Sequence, residues 1–157
     1  MLKKILIIIT LILLLKISIT YIASDNSGEF SPYNNLCNAL CDRKSYYTSG
    51  SFRDYTDYCE YYFNSHSVQN YIKNSECKIV TQYDIENIKN YFDNFEEWLK
   101  WCDYKDKYTF DKDTQIKEGD YFYIDAPSGY GNYNVYYVDI EKNIVYFIHN
   151  NFTKTFD

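Results

Sequence analysis

The side chains of this chain best suited to covalent or acid–base chemistry are its five cysteines and two histidines. Cys59 is the cysteine whose setting reads as a nucleophile's. It lies in an aromatic-rich stretch, Asp57-Tyr58-Cys59-Glu60-Tyr61-Tyr62-Phe63-Asn64-Ser65, whose spacing predicts a helix capped by Thr56 or Asp57. A thiol in the first turn of that helix sits at the positive end of the macrodipole, which favours the thiolate. The competing role for Cys59 is one half of a disulfide. Cys37, Cys41, Cys59, Cys77 and Cys102 are odd in number, so at least one thiol is unpaired or bonded to another molecule, and the pairing stays open. His66 follows Cys59 by about two helical turns, about 10 Å of rise, too far for a partner, and is expected at the surface or in packing. Zinc is a weak reading, since there is no CxxC and only His66 and His149 could supply nitrogen. No cofactor is expected.

The elements that must position these residues begin after residue 24. Lys3 and Lys4 precede an apolar run, and Ala23 and Ser24 make a small-residue cleavage site, so residues 1–24 read as a secretory signal peptide. The alternative is an uncleaved N-terminal anchor, a span of marginal length interrupted by Lys16. Residues 25–31 read as a linker and 32–157 as a single domain, secreted or extracytoplasmic, with membrane contact only through residues 1–24. All five cysteines fall in the exported part, where disulfides can form. Loss of residues 1–24 removes three of the 16 basic residues and no acid, leaving 13 against 22 and a net charge of −9. No basic run follows Lys16, so nucleic acid is excluded as a partner. Oligomeric state is not encoded in any pattern.

Ser31-Pro32 predicts a helix start, continuing to about Tyr46, with Cys37 and Cys41 on one face. Residues 48–51 form a loop, the Cys59 helix follows, and residues 68–81 are poorly patterned. Ile85, Ile88, Phe92, Phe95, Leu99 and Cys102 make an amphipathic stripe, one helix or two broken at an Asp93/Glu96 cap. Trp98 and Trp101 lie off the stripe and are expected to pack on a neighbouring element. Three strands follow, after Gly119-Asp120, at Tyr133–Ile140 and at Ile144–His149. Helices first and strands last predict an α+β domain. A hairpin turning at Glu141-Lys142, or through a four-residue loop from Ile140 to Asn143, pairs Asn134 directly with His149, their Cβ atoms about 5 Å apart.

The order of Tyr33-Asn34, a cysteine before Tyr62-Phe63, KEGDYFYID, YNVYYVDI and YFIHNNFTK resembles the amidase domain of secreted bacterial proteins. That family is a branch of the papain-like cysteine hydrolases related to NlpC-type peptidoglycan peptidases. The resemblance spans about Tyr33 to Lys154. It implies a papain-like (NlpC-type) domain, with N-terminal helices, including the Cys-bearing one, packed on a C-terminal antiparallel sheet. It makes Cys59 the nucleophile, without the glycine and aspartate that precede it in the family. The family's Gly-Asp turn falls on Gly119-Asp120, its base histidine on Asn134, and its last-strand histidine on His149, which is kept.

Amide hydrolysis needs a thiolate, a base that also protonates the leaving amine, and a group that orients the base. An amide side chain does not titrate, so Asn134 cannot be that base. Either His149 acts as base with Asn134 as orienter, or the domain is a degenerate, weakly active pseudoenzyme that binds a peptide or cell-wall amide substrate. The second reading is a secreted, disulfide-stapled binding or effector protein with no hydrolase activity.

Overall fold

Tyrosine, threonine, valine and isoleucine favour extended backbone, and the runs richest in them become the strands of this chain. The computed structural model describes residues 32–50, 54–127 and 129–152. The expected signal peptide or anchor and the linker lie outside the described residues. Among the described residues, no helix is long and apolar enough to cross a membrane. Leu36–Asp157 make one compact unit; of the preceding unit, Met1–Asn35, only the start of a helix is described.

The described elements run α1 (Pro32–Leu40), β1 (Arg43–Gly50), β2 (Tyr55–Tyr62), α2 (Ser65–Asn74), β3 (Lys78–Ile79), α3 (Gln82–Leu99), α4 (Lys112–Gln115), β4 (Tyr121–Asp125), β5 (Asn132–Asp139) and β6 (Ile144–Asn151). The six strands form one antiparallel sheet in the order β1-β2-β6-β5-β4-β3. The class is α+β, but helices and strands are interleaved rather than segregated. Half of the sheet was expected and half was not: β1 runs through the predicted end of the first helix and most of the predicted 48–51 loop, and β2 and β3 fall where a second helix and unpatterned chain were predicted. The first helix stops at Leu40 instead of Tyr46, and the segment with Cys59 is strand β2, not a helix.

The physical reason is burial on both faces. Every residue from Thr56 to Tyr61 is buried, so the strand lacks the polar–apolar alternation that identifies a half-buried strand. The helix after it starts later, where Asn64 caps α2 by accepting from the Ser67 amide at 2.9 Å.

One face of the sheet carries Tyr58, Tyr133, Val135, Tyr137, Tyr146 and Ile148, which pack against Ile88, Phe92, Phe95 and Leu99 of α3. That stripe follows the predicted spacing, on one unbroken helix. Its cap is a Thr81/Asp84 capping box. Asp93 and Glu96 instead grip Lys112 of α4, Asp93 at 3.0 Å. The other face carries Cys59, Tyr61, Tyr136, Val138, Val145 and Phe147, all buried. Tyr71 of α2 is buried and packs on Phe63 at 5.6 Å.

The Gly119-Asp120 turn has a structural role. Gly119 takes φ +89, open to glycine. The buried Asp120 carboxylate accepts from Tyr137 Oη at 2.5 Å and from the Ile140 amide at 3.2 Å, tying the start of β4 to the end of β5.

Candidate functional site

His149 sits near the end of β6, with Asn134 of β5 opposite it on one side and Asp57 of β2 opposite it on the other. The Asn134–His149 pairing predicted from the hairpin is present, closed by the four-residue alternative, with Asp139 pairing Ile144. Asn143 takes the left-handed conformation in that loop at φ 57, which asparagine tolerates. His149 Nδ1 lies 2.8 Å from Asn134 Oδ1. An amide oxygen only accepts, so the proton is on Nδ1 and Nε2 carries a lone pair. Nε2 is buried without a hydrogen-bond partner. The imidazole is 9 % exposed, and burial pushes its pKa down from 6.5 to about 4. It is a neutral ring, stacked on Tyr55 with centroids 5.1 Å apart.

Cys59 shares this face, two residues along β2 from Asp57. Its register partners are Phe147 on β6 and Tyr46 on β1. The structure thus gathers Cys59, Asn134 and His149 on one face of three adjacent strands. It does not set Cys59 at a helix N-terminus, and the macrodipole argument for a thiolate falls with that correction. The residue is 0 % exposed. The five cysteines all lie among the described residues, and no disulfide joins them. His66 is exposed on α2, its Nε2 3.1 Å from Asn70 Nδ2.

Sequence reasoning missed the acid beside His149. Asp57 is buried and accepts from Tyr46 Oη at 2.9 Å. Reading β2 as a strand would have found it, because the register then sets Asp57 opposite His149. Glu60 on the other face was missed for the same reason; Tyr58, Tyr62 and Thr109 all donate to it. Among the described residues, no group of three His, Cys, Asp or Glu could hold a metal ion.

Two clefts share α3 as a wall. One, of about 200 Å³, is lined by Asp54, Thr56, Trp98, Trp101, Cys102 and Phe152 among others. Trp98 does pack on a neighbour, stacking on Phe152 at 3.7 Å, whereas Trp101 is 84 % exposed. At the cleft's inner end, Thr56 Oγ1 is 3.1 Å from Cys102 Sγ and accepts from Tyr104 Oη at 3.0 Å. The second cleft, of about 420 Å³, is lined by Asn90, Asp93, Asn94, Glu97 and Tyr130. Aromatic walls beside a few polar groups are the usual composition of a ligand site. The chain matches no protein-family model, no curated protein and no solved structure.

Proposed function

We propose that this chain is an extracytoplasmic binding domain, recognising a peptide or amino-sugar ligand without hydrolysing it. The observation that carries this reading is the setting of Cys59, buried in mid-strand with no helix N-terminus behind it. A hydrolytic thiol must be partly exposed and held as thiolate. His149 supports the same reading: a histidine pushed down to about 4 is poorly matched to general acid–base work at neutral pH. If the chain descends from NlpC-type amidases, its nucleophile and base positions have become packing, a papain-like pseudoenzyme. Export rests on residues 1–24 acting as a signal peptide.

The aromatic cleft is the candidate binding surface. The exposed Trp101 indole offers a face for a cationic group. Asp93 and Glu97 line the neighbouring cleft but already pair with Lys112 and Lys100, so the attraction for a cation rests on the exported chain as a whole, whose net charge is −9, with 13 basic and 22 acidic residues. Diamino-acid stem peptides of the cell wall and other basic peptides have the complementary chemistry.

Two measurements test this. Titration of tryptophan fluorescence with a lysine-containing stem peptide is expected to saturate, and Trp101→Ala to weaken binding by about 2 kcal/mol, roughly 30-fold. Cys59→Ala is expected to leave that binding unchanged. Peptidoglycan digestion abolished by Cys59→Ala, or rapid alkylation of native Cys59 at pH 6, would instead make the chain an enzyme.

A further inference from the structure

The larger cleft, of about 420 Å³, takes no part in the binding of a cationic group at Trp101. Asn90, Asp93, Asn94 and Glu97 recur along α3 at three- and four-residue spacing, so they form one polar row on the helix surface. Tyr130 of the short turn Gly129–Gly131 lines the cleft with them. That turn is fixed to the sheet. Asn150 Nδ2 donates to the Tyr130 carbonyl at 3.2 Å, and the Phe152 amide donates to the Gly131 carbonyl at 2.8 Å. The Tyr130 ring rests on Tyr91 at 4.8 Å and is 46 % exposed, which leaves aromatic surface open.

We propose that this cleft is a carbohydrate subsite that holds a ring of a neutral oligosaccharide. A sugar hydroxyl both donates and accepts, and the cleft offers both functions side by side. Asn90 is exposed, and its amide carries a donor and an acceptor. Asn94 Oδ1 already accepts from the Tyr133 hydroxyl at 3.2 Å, so Nδ2 is the end of that amide left to a ligand. Asp93 and Glu97 bring acceptor oxygens whose charge is balanced, through Asp93 Oδ1 to Lys112 at 3.0 Å and Glu97 Oε1 to Lys100 at 2.7 Å. The second oxygen of each carboxylate still accepts. A polar surface with its charges paired suits an uncharged, polyhydroxylated ligand better than a cation. The Tyr130 ring supplies the remaining need of a sugar, an apolar face for its C–H bonds. The site is separate from the Trp101 surface and stands whether or not that surface binds a peptide.

The full chain, isotopically labelled, is titrated with chitotriose, cellotriose and maltotriose in turn, and the side-chain amide signals of Asn90 and Asn94 are followed by nuclear magnetic resonance. At least one of these sugars is expected to give saturable shifts at both residues that persist at high salt, because salt does not screen a neutral ligand. Asn90→Ala is expected to weaken that binding about 10-fold through lost hydrogen bonds. Glu97→Gln keeps a hydrogen-bonding group of the same size and is expected to stay within about 3-fold of the wild type. Trp101→Ala is expected to leave sugar binding unchanged, which separates this site from the peptide surface. No shift with any of the sugars, or shifts that Asn90→Ala leaves intact, overturns the assignment. Binding lost in Glu97→Gln or abolished by salt also overturns it, since the cleft would then select charge.

Discussion

A neutral imidazole bonded to an amide and stacked on a tyrosine is a packing group with a titratable edge. His149 is pushed down to about 4 from 6.5 by burial, so between those values the unfolded chain binds a proton that the folded chain refuses. Its contribution to stability is complete above about pH 6.5 and is lost as pH falls toward 4. A shift of that size is worth about 3 kcal/mol. Urea unfolding at pH 7 and pH 4.5 should therefore show the wild type losing about 2 to 3 kcal/mol more than His149→Gln. Equal losses in the two proteins would mean that His149 does not control this window. The Asn134–His149 contact was legible in the sequence, because a short hairpin loop leaves few registers. The burial of Cys59 and the presence of Asp57 were not, because both depend on a pairing between β2 and β6 that no local pattern announces.

At the scale of elements, legibility followed how many faces are wet. Helix α3 is polar on one side, and its stripe of Ile88, Phe92, Phe95 and Leu99 was readable from spacing alone. Strand β2 is dry on both sides, and its run of tyrosines around Cys59 imitates a buried helix. Its hairpin with β1 turns on one residue whose geometry is decisive. Gly50 has φ +126, and a Cβ there would lie 2.3 Å from the Asp54 carbonyl oxygen. Gly50→Ala is expected to cost about 3 kcal/mol through strain and clash combined, measured as a shift in the denaturation midpoint. A neutral effect would mean that the hairpin re-forms with a different turn.

For the molecule as a whole, the sheet order divides strong from weak regions. The centre is β2, β6 and β5, each paired on both sides. The edges are β1, headed by exposed Arg43 and Lys44, and the two-residue β3, features that discourage pairing with other chains. Native-state hydrogen exchange should find the slowest amides in β6 and its two neighbours and much faster exchange in β3, approaching local opening. Uniform protection across the sheet would contradict that division. The α+β class was readable because helical and strand periods both occur. The strand order was not, since it is decided by contacts between β2 and β6, far apart along the chain.

That same order has a consequence for how the domain is made. Vectorial synthesis delivers β1 and β2 early and β6 last among the described strands, yet β6 is the strip that joins β2 to β5. Until Ile144–Asn151 emerges, β2 and β5 each present an open edge, and the sheet exists as two unconnected pieces. Closure must span roughly ninety residues, which makes the step slow. A chain arranged this way stays loose as it is made and locks only once β6 has joined β2 to β5.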